Sequence, residues 1–400
     1  MNLFENFNIS NELKQEIKKL GLEKPTEIQE KTIPLILDGK DVIGESSTGS
    51  GKTLAFGCGI IEKVNANQGI QALVLTPTRE LAEQIRQVLH GITHYKRLNI
   101  TSIYGGVAIG PQMNSLKNAD IVIATPGRLL DHVKRRTIDL RKVKFLVIDE
   151  ADRMFDMGFI DDVKRIILQC PKQRQTLLFS ATISSQISDL SRNYMIDPIT
   201  ISVGKHVDPS KLKQIYYDIQ KNMKMSLLVH LLKNEKSGLV MVFCNTRRNT
   251  DVVVKNLRAN KIDAIAIHGG LSQNKRSNTL NSFNKGRVGV LVCTDVAARG
   301  LHIDDVSHIY NYDIPKDPTD YVHRIGRTAR AGKEGKVINI LCDYDYDNFG
   351  RVQGEHRNFK IDKVEKPYID KVPFLQMDNS RRSFQGNNRR GNHRRNNYRR

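Results

Sequence analysis

The chain has no tryptophan and only five cysteines among its 400 residues. Cys58, Cys170, Cys244, Cys293 and Cys342 lie far apart, are odd in number and form no Cys-x-x-Cys pair. That argues against a disulfide framework and against a zinc cluster, and it fits a reducing cytosol. Long apolar runs are also missing: none approaches the ~18–20 residues that a bilayer span needs. The opening MNLFENFNIS has no basic stretch followed by an apolar core, so no secretory leader is expected and the expected location is cytoplasmic. Acidic residues are scarce beside basic ones, 43 against 63, for a net charge of +20. Such a surplus points to a polyanionic partner, nucleic acid before an anionic membrane. A hydrophobic fraction of 39% argues against wholesale disorder. At ~100–200 residues per domain, the length predicts two to three domains.

Short β-branched runs recur at wide spacing. They are Ala72–Leu75, Ile121–Ala124, Phe145–Ile148 and Thr176–Phe179, then Leu239–Phe243, Ala264–Ile267, Val288–Val292 and Val337–Leu341. Helix-like stretches such as Arg79–Leu89 and Asp161–Leu168 fall between them. Strands alternating with helices predict parallel sheets covered on both faces. The series reads as two α/β units of similar plan, residues 1–204 and 213–363. They join across 205–212, within the stretch Val203–Lys213 where Gly204, Asp208, Pro209 and Ser210 cluster. Residues 364–400 read as a basic, Arg/Asn-rich tail that cannot bury a core and is expected to be disordered.

The strongest local signal is Ser46-Ser47-Thr48-Gly49-Ser50-Gly51-Lys52-Thr53. Small residues let successive backbone N–H groups turn toward phosphate, and the following helix adds its positive end. Lys52 then reaches the terminal phosphates and the Thr53 hydroxyl suits Mg2+. The bland alternative is a Gly/Ser turn before a helix. Near residue 150 the apolar run Phe145–Ile148 ends in Asp149 and Glu150. At the carboxyl end of a parallel strand, Asp149 would hold the metal beside the loop. Glu150 would orient and deprotonate an attacking water. Alone, such a pair is a solvated strand end. Together with the loop it indicates a nucleoside triphosphatase.

Asp149-Glu150-Ala151-Asp152 reads D-E-A-D, and with the other motifs the chain resembles the DEAD-box ATP-dependent RNA helicases over roughly residues 4–342. The resemblance implies two tandem RecA-like domains, ATP and Mg2+ as cofactors, and RNA as partner. It also implies a monomer, possible ribonucleoprotein partners aside. Gly21-x-x-x-Pro25-Thr26-x-Ile28-Gln29 resembles the Q motif, so Gln29 would read the adenine edge and Phe4 would stack on the base. Ser47, Thr48, Gly49, Ser50 and Gly51 would cradle the phosphates, with Gly300 assisting from the second domain. Contacts to the RNA backbone fall to Thr78, Arg79, Gly105, Gly106, Thr125, Gly127 and Arg128 in the first domain and to Thr246, Arg247 and Thr294 in the second. Ser180 and Thr182, with Asp295, His323 and Arg324, would couple hydrolysis to duplex opening. Arg327 and Arg330 would act as arginine fingers on the γ-phosphate.

Three positions depart from the family pattern. Ser46 stands where Ala or Gly is usual, Ala329 where Gly is common, and His302 where an Asp is implicated in holding ribose, with Asp304 and Asp305 close behind. Two other classes compete. A DNA-directed translocase is disfavoured by Gln29, Phe4 and the D-E-A-D tetrapeptide, and an RNA clamp without catalysis by the intact Lys52, Glu150, Arg327 and Arg330. The segment Asn379–Arg400 holds eight arginines as four Arg-Arg pairs, with Phe384 and Tyr398 among them. Arg pairs with phosphates and stacks on bases. Deleting Asn379–Arg400 should therefore weaken RNA binding and raise the RNA concentration for half-maximal ATPase while sparing the saturated rate. At ~0.7 per phosphate neutralised on single strands, full engagement adds at most about 5–6 units to the salt slope. Equal RNA affinity and equal salt dependence in both forms would leave the segment a solubilising tail.

Overall fold

Runs of Val, Ile and Leu with few polar interruptions bury on both faces only if helices cover both sides of a sheet. The computed structural model describes residues 3–46, 49–203, 212–298, 303, 306–329 and 334–376. The first unit has strands β1 (Val42–Glu45), β2 (Ala72–Leu75), β3 (Ile100–Ile103), β4 (Ile121–Ala124), β5 (Phe145–Asp149), β6 (Gln175–Ser180) and β7 (Ile199–Ser202). The second has β8 (Leu212–Asp218), β9 (Leu239–Phe243), β10 (Ala264–Ile267), β11 (Val290–Cys293), β12 (Val306–Asn311), β13 (Gly335–Leu341) and β14 (Ile361–Lys363). The orders are β3-β4-β2-β5-β6-β1-β7 and β10-β11-β9-β12-β13-β8-β14. Every pairing is parallel, for example Val147 opposite Leu177 and Met241 opposite Leu291. Leu73, Val74, Leu146 and Val147 are fully buried in the first sheet, as are Met241, Val242, Leu291 and Val292 in the second. The two orders correspond strand for strand, so these are tandem RecA-like domains of one plan.

Six strands escape the apolar-run reading for physical reasons. β1 reads Val-Ile-Gly-Glu, too short an apolar run to stand out, although it lies inside the sheet between β6 and β7. β12 carries Ser307, His308 and Asn311, with Asn311 Nδ2 donating to Asn339 Oδ1 at 2.8 Å. β3, β7 and β14 are partly exposed edge strands, and β8 carries Lys213 and Gln214. Leu212 already belongs to β8, so the second unit starts one residue earlier than the sequence indicates; residues 204–211 lie outside the described residues.

Residues 364–376 correct the expected tail. They run as an extended strap over the second unit, with Val364, Ile369 and Val372 packed on its core. Three side chains tie the strap down. Ser226 Oγ accepts from Val372 N at 3.1 Å. Asn256 brackets Leu375, donating to its carbonyl at 3.0 Å and accepting from its N–H at 2.8 Å. Lys255 donates to the Gln376 carbonyl at 2.9 Å. Intermittent apolar residues thus extend the fold thirteen residues past Lys363 before the arginine-rich composition begins. The expected disorder of the remainder concerns residues 377–400, which lie outside the described residues. Among the described residues no helix is long and apolar enough to cross a membrane.

Candidate active site

In the first sheet β6 lies between β1 and β5, which brings three chemically loaded strand ends side by side. Ser46, just past β1, donates its N–H to the Ser180 carbonyl at 2.9 Å. Asp149 ends β5 opposite Phe179. The phosphate loop follows β1 and opens the helix Lys52–Lys63. Gly49 and Gly51 take φ of +83° and +91°, the left-handed region that favours glycine, and a Cβ on Gly51 would run into the Gln29 amide. The departure at Ser46 strengthens the loop: its hydroxyl bonds the Ser50 hydroxyl across the turn at 2.9 Å. Lys52 is buried and donates to the Ser46 carbonyl at 3.0 Å. Ser47 and Thr48 lie outside the described residues, as do Gly300, His302, Asp304, Asp305 and Arg330.

The Q-motif residues brace this loop from behind. Thr26 Oγ1 donates to the Ser50 carbonyl at 2.7 Å and Gln29 Nε2 to the Gly51 carbonyl at 2.9 Å. Gln29 Oε1 accepts from Thr26 N at 2.9 Å, closing a capping box at the start of the helix Glu27–Leu37. The amide keeps one more hydrogen and lone pairs for another partner. Phe4 is a core residue, edge-to-face with Phe7 at 5.8 Å.

Asp149 and Glu150 are both buried, and their electrostatics differ. Burial pushes the Asp149 carboxyl up to about 6, with Lys52 opposing the rise. Burial also pushes Glu150 up, but the cations of Arg153, Lys52 and Arg327 outweigh it and hold Glu150 below the ordinary carboxylate range. Glu150 pairs with Arg153 one turn on. Its backbone sits at φ 53°, an unusual place for a non-glycine residue, as the strand breaks directly into the helix Ala151–Asp156. Two hard oxygens, the Asp149 carboxylate and the Thr53 hydroxyl, are the chemistry of a Mg2+ site completed by phosphates and water. A divalent cation would relieve the buried Asp149 charge.

Asp152, which the sequence reading used only to complete the tetrapeptide, has a role of its own. Its Oδ2 accepts from Ala181 N and Thr182 N, both at 3.1 Å, and from Thr182 Oγ1 at 3.3 Å. Its own N–H donates to Ser180 Oγ at 3.2 Å. One carboxylate therefore locks the segment after β6 to the segment after β5.

The expected RNA-contact residues gather on the equivalent edges of the two sheets. After β2, Thr78 caps the helix Arg79–Gly91, accepting from Leu81 N at 3.3 Å. The Arg79 guanidinium lies over Gly106, whose φ is +77° and where any Cβ would collide with it. After β9, Thr246 caps the helix Arg247–Ala259 in the same way, at 3.1 Å from Asn249 N. Arg247 lies against Gly269, where a Cβ would stand 3.1 Å from Nη2. Thr125 follows β4 and Thr294 follows β11, completing the repeat. Gly127 faces open space, and Gly105 lies beside Arg79. Arg128 donates to Gln112 Oε1 and to the Val107 carbonyl, each at 3.0 Å, and Gln112 in turn donates to the Tyr104 carbonyl at 3.1 Å. Gln112, unremarked in the sequence, thus ties Arg128 to the Gly105–Gly106 loop.

In the second unit the residues expected to couple the domains divide. Arg324 is buried and bidentate to Asp295, at 2.6 and 2.7 Å. It also donates to Asn311 Oδ1, the Asp313 carbonyl and Asn245 Oδ1 at 2.9, 2.6 and 3.1 Å. These partners all lie in the second unit, so Arg324 and Asp295 form a strut within it. His323 and Arg327 line a small crevice with Asp295 and Arg324. Ala329, in place of glycine, sits at φ 54°, a left-handed conformation costing roughly 1–2 kcal/mol for a residue with a Cβ. The departure is therefore a strained one. Among the described residues, the Arg327 charge acting on Glu150 and an ion pair from Arg276 Nη2 to Glu80 Oε1 at 3.0 Å cross the cleft.

The fold and site define a nucleoside triphosphatase of two RecA-like units whose cleft carries charge from both. Residues 26–190 match the DEAD/DEAH box helicase model and residues 223–332 the helicase conserved C-terminal domain model. The chain is 44% identical over 372 residues to the DEAD-box ATP-dependent RNA helicase CshA of Bacillus subtilis, covering 92% of this chain and 75% of that protein. It is 45% identical over 375 residues to ATP-dependent RNA helicase CshA of Listeria monocytogenes, covering 93% and 72%. Among solved structures, Saccharomyces cerevisiae Dbp5 bound to RNA and ADP BeF3 superposes with a TM-score of 0.80 at 30% identity, over 91% of this chain and 95% of that one. A DEAD box protein from Methanococcus jannaschii gives 0.56 at 41% identity, over 91% and 99%. The chain belongs to the DEAD/DEAH box helicase family and is an ATP-dependent RNA helicase.

The Arg276–Glu80 pair generates a prediction. Both side chains are largely shielded, at 15% and 7% exposure, so Arg276→Ala would remove a contact made only when the units meet. Coupling energies of ~1–3 kcal/mol correspond to roughly 5- to 150-fold. The RNA concentration for half-maximal ATPase should rise about tenfold, in that range, with ATP affinity of the RNA-free protein unchanged. An unaltered RNA titration would reduce the pair to a surface contact.

Proposed function

We propose that ATP is hydrolysed only when the two units close around it, and that closure bends the bound RNA strand. The observation that carries this reading is the charge of Arg327, from the second unit, acting on buried Glu150 of the first. The loop from Ser46 to Thr53 takes the phosphates, Ser47, Thr48, Gly49, Ser50 and Gly51 through their backbone and Lys52 through its ammonium. Phe4 and Gln29 take the adenine, Gln29 with the hydrogen and lone pair it does not spend on the loop. Gly300 contributes from the other side. Thr53 and Asp149 hold Mg2+, which when bound neutralises charge on the β and γ oxygens. Glu150, held ionised by its three cations, accepts the proton of the attacking water. Arg327 and Arg330 stabilise charge on the transferring phosphoryl group.

RNA lies along Thr78, Arg79, Gly105, Gly106, Thr125, Gly127 and Arg128, and continues onto Thr246, Arg247 and Thr294. Hydroxyls, glycine-flanked amides and arginines grip the sugar–phosphate backbone, so sequence preference is small, and 2′-OH contacts favour RNA over DNA. The link from hydrolysis to RNA runs through Asp152. Movement of the Asp149–Glu150 segment is passed to Ser180 and Thr182 by the bonds that Asp152 makes to both. His323 reports from the second unit, positioned by the Arg324–Asp295 strut. Loss of phosphate reopens the cleft and frees the RNA. The working unit is a cytoplasmic monomer of two domains, 1–204 and 213–363 by sequence, acting on short duplexes or ribonucleoproteins.

Glu150→Gln tests the centre of this scheme. It removes the base and keeps the shape, so ATP binding should survive while RNA-stimulated turnover falls by about 10²–10⁴-fold. RNA should also be held longer in the presence of ATP. A melting curve checks that the stranded Arg153 has not unfolded the first unit. Near-normal turnover in a folded variant would remove Glu150 from the reaction.

A further inference from the structure

A cavity of ≈ 400 Å³ opens on the second unit between the strap and the first turns of the helix Arg247–Ala259. Thr246, Arg248, Asn249 and Val252 line it from the helix side, Phe374 and Gln376 from the strap. Its volume lies within the ~300–1,000 Å³ usual for small-ligand sites. Phe374 keeps 51% of its surface exposed, although the backbone on its C-terminal side is pinned by Asn256 and Lys255. An exposed aromatic on a tethered backbone is presented to a partner, not tucked into a core. Val252 supplies an apolar wall; the Gln376 amide and Asn249, whose Nδ2 already donates to Asp313 Oδ2 at 2.6 Å, supply polar groups beside it.

A flat aromatic face with amides at its edge is the chemistry that receives a nucleobase. Thr246, which lines the cavity, is the cap of the helix whose Arg247 is assigned to the RNA backbone. The chain just past the cavity carries no acid after Asp378 and eight arginines, a composition suited to a polyanion such as RNA and not to an apolar peptide. We propose that the strap and this helix form a subsite for one base of the RNA strand, immediately beyond the nucleotides gripped by the two units. The inference rests on the reading that RNA crosses Thr246 and Arg247. It assigns to residues 364–376 a second job: the strap adds a base-stacking step to a surface that otherwise touches only backbone. Affinity should therefore increase in a step when the RNA is lengthened past Thr246.

The test measures affinity of the full-length protein for a series of single-stranded RNAs, from one just spanning the two units to others several nucleotides longer. Loss of one stacked base corresponds to about a fivefold or larger drop in affinity. Phe374→Ala and Phe374→Leu should show that drop for the longer RNAs only, with the shortest RNA, the saturated ATPase rate and the salt slope unchanged. Phe374→Tyr should bind like the parent. Equal affinity of Phe374→Ala and parent for long RNA overturns the subsite. So does a loss shared by Phe374→Tyr, which would mark the ring as packing. A loss accompanied by a lower salt slope also overturns it, since the strap would then merely position the arginines that follow. Arg247→Ala separates this inference from the reading beneath it. That variant should weaken the shortest RNA. If it does not, the RNA path itself is wrong and the subsite goes with it, whereas a weakened Arg247→Ala beside a normal Phe374→Ala overturns the subsite alone.

Discussion

Two carboxylates at the end of one strand, both out of water, are tolerated only because cations surround them. Asp149 and Glu150 draw on Lys52 from the phosphate loop, Arg153 from the next helical turn, and Arg327 from the other unit. Burying an unpaired charge is expensive, and a partner withdrawn from a buried pair leaves that expense exposed. The electrostatics of the first unit are thus completed by the second. Glu150 therefore has all three of its cations only while the units are together. On the proposed mechanism anything that favours their meeting, RNA included, favours the reaction, and the coupling acts equally in reverse on ligand binding.

The repeated architecture explains how one movement serves two ends. The edge trio β3-β4-β2 carries Thr125, Thr78–Arg79 and Gly105–Gly106, and the trio β10-β11-β9 carries Thr294, Thr246–Arg247 and Gly269 at matching places. In the first sheet the inner strands carry the chemistry, at the ends of β1, β5 and β6. Parallel strands put all these termini on one rim, so the residues proposed for nucleotide and those proposed for RNA are neighbours without overlapping. Asp152 bridges β5 and β6 at that rim with four hydrogen bonds. Through these hydrogen bonds it ties the segment that carries Glu150 to Ser180 and Thr182.

Much of this was legible in the sequence because the chemistry demands particular residues in a row. Glycines at 49 and 51, Lys52, and an apolar strand ending in Asp149-Glu150 announce themselves, since few other arrangements bind phosphate and metal. Core strands such as Leu239–Phe243 stood out because both faces are buried and the apolar run is unbroken. β1 and β12 were invisible for the opposite reason: one is only four residues long with a glycine and an acid, the other hides buried polar residues that satisfy each other. Asp152, Gln112 and the Arg276–Glu80 pair act through three-dimensional neighbours, which spacing along the chain does not reveal. The Arg324–Asp295 strut was recognised as two motif residues, but its confinement to one unit needed the fold. The strap was misread because its apolar residues, Val364, Ile369 and Val372, are irregularly spaced among lysines and acids.

The central claim is that both ligands bring the two units together to complete the site. All five native cysteines are buried, so dyes can be directed to new exposed ones, Leu168→Cys on the first unit and Tyr344→Cys on the second. Single-molecule energy transfer between them would then report the cleft. The account predicts one compact, high-occupancy state with RNA and a non-hydrolysable ATP analogue together, and a smaller fraction of it with either alone. It also predicts that the doubly liganded state is depopulated in Arg276→Ala. A distance distribution that is the same with no ligand, one ligand and both would contradict it.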